Sequence, residues 1–191
     1  MPRPRSDKRE RLATAAAELV AARGLDGATI AAIAERAGVP AGSVYYYLRS
    51  KEEIANAAVD AAAAQRSALI AEWDSQSGAT TRLTAYLDWA ASESAQTATV
   101  GNVATLAAHL RTAAPEAAAR AAEIVNETMA WAARQFEELG FAPAAASARA
   151  MHLVTGIEGA GQLAHALADP TPVEREAAHL SRWVANSRSN A

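Results

Sequence analysis

The sequence predicts an all-α fold of about nine helices, and three observations carry that prediction. Alanine, the strongest helix former, supplies 54 of the 191 residues. Aromatic residues make up only 5% and β-branched residues are few, so little of the chain suits a sheet. Apolar side chains also recur at helical spacing between glycine and proline punctuation. With side chains this thin, the helices must approach one another closely to build a core.

The elements follow in order. Helix 1 opens near Ser6 or Asp7 and runs to Arg23, with Leu12, Ala15, Ala16, Leu19 and Val20 on one face and Gly24 as a left-handed C-cap. Thr29 caps helix 2, Ile30 to Arg36, whose inner face is Ile30, Ile33, Ala34 and Ala37. Ala37-Gly38-Val39 is a tight turn, and Pro40 suits the first turn of a short helix 3 over Ala41 to Leu48, with Val44 and Leu48 inward. Ser50 to Glu53 is a capping box that opens a long helix 4, with Ile54, Ala58, Ala61, Gln65, Leu69 and Trp73 along one side.

Helix 5 spans about Thr81 to Thr97 and gathers Leu83, Tyr86, Leu87 and Ala90. Helix 6, Asn102 to Thr112, presents Val103, Leu106 and Leu110. Helix 7 begins at Pro115 and stops before Gly140, with Ile124, Thr128, Trp131 and Gln135 on one face and Val125, Met129, Ala132, Phe136 and Leu139 on another. Helix 8 runs from Pro143 to about Leu167. Thr171 to Glu174, a second capping box with Pro172 at its first position, opens helix 9.

Charge is distributed unevenly. Residues 1–51 carry nine Lys/Arg against five Asp/Glu, and residues 52–191 nine against sixteen, which gives +4 and -7 and sums to the overall -3. A basic head suits a polyanion. Zero cysteine excludes disulfides, Cys-ligated metal and a thiol nucleophile. No apolar run approaches the ~18–20 residues that span a bilayer. The basic start, Met1 to Arg9, lacks the apolar region of a signal peptide. A cytoplasmic protein without membrane contact is expected.

The stretch from Thr29 to Lys51 carries the function. Two helices joined by a short glycine turn form a helix-turn-helix, whose second helix can enter a DNA major groove. That helix holds three of the chain's four tyrosines, Tyr45, Tyr46 and Tyr47. At 3.6 residues per turn, three consecutive rings cannot share one buried face. An outward phenol can donate to a phosphate, and Lys51 stands where the helix 4 dipole also favours an anion.

The run Thr29-Ile30-Ala31-Ala32-Ile33-Ala34-Glu35-Arg36-Ala37-Gly38-Val39-Pro40-Ala41-Gly42-Ser43-Val44-Tyr45-Tyr46-Tyr47-Leu48-Arg49-Ser50-Lys51 resembles the signature of the tetracycline-repressor (TetR) family. The resemblance implies a helix-turn-helix DNA-binding domain over 1–51 and an effector-binding and dimerisation domain over 52–191. It also implies a homodimer through helices 8 and 9 and a repressor released from double-stranded operator DNA by a small, largely apolar effector. Thr29, Tyr45, Tyr47 and Lys51 match phosphate-touching positions of the family. Pro40, Ala41 and Ser43 match base-facing ones, with Gly42 between them. Tyr46 matches a position where the family often buries an aromatic. Leu48 replaces a frequent Phe. From Pro40 to Leu48 there is no Arg, Lys, Asn or Gln, so readout is expected from Ser43, from thymine-methyl contact by Pro40 or Ala41, and from DNA shape. Arg3-Pro4-Arg5 is either a minor-groove arm or a disordered terminus.

In the acidic body, Tyr86, Trp89, His109, Trp131 and His152 are large or polar side chains on alanine-rich helices and are candidate effector contacts, with ordinary core packing as the alternative. Helix 8 carries Gly156, Gly159 and Gly161. Glycine costs roughly 1 kcal/mol against alanine inside a helix, so a close neighbour is the expected compensation, at a dimer seam or at an internal kink. Candidate interface residues are Gly156, Gly159, Ala160, Leu163, Leu180 and Trp183. Ile157 to Ala160 followed by Leu163-Ala164 also resembles the C-terminal domain of an LmrA/YxaF-like subgroup.

Two rival classes are an all-α enzyme and a helical adaptor without DNA binding. A di-iron bundle needs two Glu-x-x-His pairs, and only Glu176 to His179 supplies one. The four histidines show no metal spacing, and no nucleophile elbow or phosphate loop occurs. No catalytic residue, metal ligand or cofactor is therefore expected.

Overall fold

The computed structural model describes residues 5–96 and 103–187. Among these residues the chain is all-α: α1 Arg5–Gly27, α2 Ile30–Ala37, α3 Ala41–Tyr47, α4 Lys51–Asp74, α5 Ala79–Gln96, α6 Val103–Leu110, α7 Pro115–Glu138, α8 Pro143–Leu167 and α9 Thr171–Ala185. Arg3 and Pro4 of the predicted arm, and the predicted ends of helix 5 at Thr97 and helix 6 at Asn102, lie outside the described residues. Two compact units divide the chain, Met1–Arg66 with Asn102–Ile124, and Ser67–Gly101 with Val125–Ala191.

In the first unit, α1 packs on α2 and α6, and α2 packs on α3. The predicted stripe Leu12, Ala15, Ala16, Leu19 and Val20 is buried, as are Ile33, Ala34, Ala37, Val44 and Leu48. Ile30 is only half-buried. Gly24 departs from its predicted cap: at φ 71°, ψ 173° it interrupts α1 in an extended mirror region that side chains other than hydrogen cannot enter cheaply. Leu25 and Ala28 then anchor the corner in the core.

The α4 stripe is corrected. Gln65 is exposed, and Ala55, Val59 and Arg66 are buried in its stead. Steps of four residues advance the face by about 40° each at 3.6 residues per turn, so a stripe read in fours drifts off the buried side.

The second unit is built around α5, α8 and α9. Leu83, Tyr86, Leu87 and Ala90 of α5 meet Trp131, Ala132 and Phe136 of α7, Leu153 and Ile157 of α8, and Leu180 and Val184 of α9 in one core, with Trp73 beside them. The start of α9 is also corrected. Thr171 does not cap it. Asp169 accepts from the Thr171 amide at 2.9 Å and from its hydroxyl at 2.6 Å, and Pro170 supplies the first carbonyl acceptor. These two hydrogen bonds, the hydroxyl first, hold the Asp169 carboxyl below the ordinary carboxylate range.

Candidate nucleic-acid interface

The helix-turn-helix is locked by backbone chemistry. Thr29 caps α2, its hydroxyl oxygen accepting from the Ala32 amide at 3.2 Å. That oxygen keeps its own proton, so Thr29 can still donate to a phosphate. At the other end Gly38 is left-handed, φ 62° and ψ 42°. The amides of Val39 and Gly38 return to the carbonyls of Ala34 and Glu35 at 3.0 and 3.1 Å, a Schellman closure.

A residue absent from the sequence-based site completes this turn. The guanidinium of Arg11 on α1 donates to the Ala37 carbonyl and, at 3.1 Å, to that of Gly38. A cation on these final carbonyls also opposes the negative end of the α2 dipole. Arg36 at the end of α2 pairs with Glu18 of α1, and that hydrogen bond and charge raise its pKa further. Two of the head's cations thus fix α2 to α1. No local signal separates Arg11 from Lys8 or Arg9. Its role depends on a contact across 26 residues of sequence.

Seven of the nine predicted residues lie on α3 or at its N-cap, and the structure separates them by depth. Val44 and Leu48 point inward, and Pro40, Ala41, Gly42, Tyr45 and Tyr46 are exposed, with Ser43 and Tyr47 half-buried. Tyr45 and Tyr46 are 62% and 66% exposed, unusual for large rings. The burial implied for Tyr46 does not occur. Tyr47 is the more covered ring, and it meets Tyr46 edge to face at 5.0 Å. Pro40 precedes the helix as its N-cap, with ψ 139°. This arrangement presents a small apolar tip, two free phenols and no formal charge.

Lys51 begins α4. Ser50 caps that helix by accepting from the Glu53 amide at 3.1 Å, and the Glu53 carboxylate reaches the Arg49 amide, one residue earlier than a capping box requires. The Lys51 ammonium is exposed and paired with Asp26 in the α1–α2 corner. The hydrogen bond from Lys51, and then its charge, hold the Asp26 carboxyl below the ordinary range.

The candidate effector contacts fall in three places. Tyr86, Trp89 and Trp131 meet around Trp73, with ring centroids 5.1 to 6.3 Å apart. Tyr86 and Trp131 are fully buried, and the Trp131 indole donates to Asp74 at 2.8 Å. Trp73, read from sequence only as part of the α4 stripe, is thus the centre of this cluster. His152 is exposed and lies edge-on to Trp183 at 5.0 Å. His109 belongs to the first unit, where its Nδ1 is 2.9 Å from the Val20 carbonyl.

The candidate interface residues also divide. Leu180 is core, Ala160 is buried beside Val173, and Trp183 packs on Phe136. A Cβ on Gly156 would meet Glu176 Oε1 at 2.8 Å and Leu180 Cδ1 at 3.1 Å, so this glycine admits α9 of its own chain. A Cβ on Gly159 would meet nothing within 4 Å beyond its own helix backbone, and Leu163 is 57% exposed.

Residues 12–58 match the family model described as bacterial regulatory proteins, tetR family. Among curated protein sequences none matches the chain significantly. Solved structures match nearly its whole length. A TetR transcriptional regulator from Chloroflexus aurantiacus J-10-FL is 24% identical, covers 95% of this chain and 96% of its own, and has a TM-score of 0.77. One from Legionella pneumophila is 17% identical over 96% and 98%, with a TM-score of 0.80. One from Agrobacterium tumefaciens is 19% identical over 93% and 97%, with a TM-score of 0.77. Residues 12–58 are therefore a tetR-family N-terminal domain, and the chain that carries them has the fold of the solved TetR regulators.

Proposed function

We propose that this chain is a DNA-binding transcriptional regulator, a cytoplasmic homodimer that holds operator DNA as a repressor until a small, largely apolar effector releases it. The observation that carries the proposal is the exposure of Tyr45 and Tyr46 on a helix whose other side is fastened by Val44 and Leu48. A soluble domain rarely leaves two adjacent large rings in water without a partner for them. Thr29, Tyr45, Tyr47 and Lys51 take phosphates. Tyr46, fully outward, joins them. Pro40, Ala41, Gly42 and Ser43 meet base edges, chiefly thymine methyls, and DNA shape supplies the remaining selectivity.

Dimerisation is assigned to the outer face of α8. Gly159, Leu163 and Leu167 follow one another at steps of four residues, and the two leucines are more than half exposed. Gly159 finds no compensating contact in its own chain, and a second copy supplies one. Sensing is assigned to the second unit, where the Trp73, Tyr86, Trp89 and Trp131 rings interrupt an alanine-rich interior. Among the described residues no helix is long and apolar enough to cross a membrane.

Selection of duplexes from a random pool, followed by a salt titration, tests the proposal. A palindrome is expected, its half-sites separated by one or more turns of ~34–36 Å, with affinity falling steeply as salt rises. Failure to retain any duplex at low salt overturns it.

A further inference from the structure

We infer that Asp26 is an affinity-setting residue of the DNA-binding face: its carboxylate occupies the Lys51 ammonium in the free protein, and a phosphate must displace it. The inference rests on the DNA-binding reading above and adds a residue to it. Lys51 and Asp26 are both highly exposed, with side chains 64% and 86% accessible, so a duplex can reach the pair.

The carboxylate is held in place by the corner that carries it. Gly24, in its glycine-only conformation, turns the chain out of α1, and Leu25 and Ala28 are buried on either side of Asp26 and Gly27. The amide of Thr29 returns to the Gly27 carbonyl at 3.0 Å and closes the corner. Asp26 is therefore presented between two anchors, three residues before the phosphate-contacting Thr29.

The electrostatic consequence is specific. A lysine that meets DNA free of any anion releases about 0.9 of a condensed counterion as it neutralises a phosphate. Lys51 is already neutralised. Moving it to a phosphate exchanges one anion for another and leaves the Asp26 carboxylate facing the DNA. Keeping both contacts on its three N–H donors brings carboxylate and phosphate together. Either way, part of the attraction is lost. The pair persists throughout the neutral range, because the lysine holds Asp26 ionised well into acid.

A double-mutant cycle in the full chain tests this, with fluorescence anisotropy on the selected duplex and on a scrambled one of the same length. Asp26→Asn should bind about two- to fivefold tighter, the scale of one exposed ion pair. The log–log salt dependence should steepen by about 0.9 per bound protomer. Lys51→Met should weaken binding, and adding Asp26→Asn to it should tighten binding by clearly less than Asp26→Asn does alone. Both side chains are exposed, and circular dichroism checks that the fold is kept. Unchanged affinity and slope in Asp26→Asn overturn the inference. Equal tightening in the Lys51→Met background also overturns it, because Asp26 would then act on the DNA without Lys51. If the unsubstituted chain binds neither duplex, the DNA-binding reading falls and takes this inference with it.

Discussion

Replacing Gly38 by alanine places a Cβ on a residue whose φ is 62° and ψ 42°, at the turn between the two helices of the DNA-binding motif. The left-handed conformation costs an L-residue roughly 1–2 kcal/mol. Reduced freedom of the unfolded chain returns about 0.4–1 kcal/mol. The new Cβ would also lie 3.0 Å from Arg11 Nη2, so the guanidinium must give by a few tenths of an ångström and loses part of its hold on the Ala37 and Gly38 carbonyls. That loss adds about 0.5–1.5 kcal/mol for a half-exposed bond. The sum is about 1–2 kcal/mol of destabilisation, or a melting temperature lower by ~2–8 °C in a chain of this size. Thermal melts by circular dichroism at fixed protein concentration measure it. Arg11→Met is the companion, and Gly38→Ala should cost less in that background because the displaced contact is already gone. A Gly38→Ala protein that melts within ~1 °C of the parent would refute the account of this turn.

Four further outcomes are expected. Gly156→Ala should gain nothing from its better helix propensity, since Leu180 is fully buried and has no room to retreat. By contrast, Gly159→Leu should keep the helix and weaken self-association about tenfold or more in sedimentation equilibrium, on the usual scale of overpacking. Unchanged association would remove Gly159 from the seam. Tyr45→Phe and Tyr46→Phe should each weaken duplex binding about fivefold without altering the melt, the worth of one hydrogen bond. Equal loss of stability would mark the hydroxyls as structural. Asp169 has a folded pKa below its unfolded one, so its contribution is present above the ordinary carboxylate range and is lost as pH falls through the lowered value. Acid melts should accordingly show the gap between parent and Asp169→Ala closing below about pH 4, the unfolded value; a gap that persists there would contradict the cap.

Most helix limits were legible because they are set by local chemistry. Thr29, Gly38 and Pro143 act through their own dihedrals and donors, and the structure places α2 and α8 where these residues imply. The inward positions of α1, α3 and α5 follow from apolar periodicity alone. What sequence did not disclose depends on which distant partner a side chain meets. Arg11, Arg36 and Lys51 all count in sequence toward the basic head, yet one closes a helix end, one fastens α2 to α1, and one is held by Asp26. Gly156 and Gly159 look alike in sequence, and only the path of α9 distinguishes them. Tyr46 shows the same limit, since its exposure depends on how α3 is seated by Val44 and Leu48. At α9 two acceptors competed for one helix start, and Asp169 prevailed over Thr171 because its carboxylate reaches both donors of that threonine.

The central claim is that the outer face of α3 meets DNA, and tyrosine modification in the presence of a saturating selected duplex tests it most directly. Tetranitromethane should nitrate Tyr45 and Tyr46 readily in the free protein and leave the fully buried Tyr86 untouched, which provides an internal control. In the complex, both α3 rings should become protected while the melt of the protein is maintained. Nitration of Tyr45 and Tyr46 at the same rate with and without bound duplex would contradict the claim and move the DNA-binding surface elsewhere on the chain.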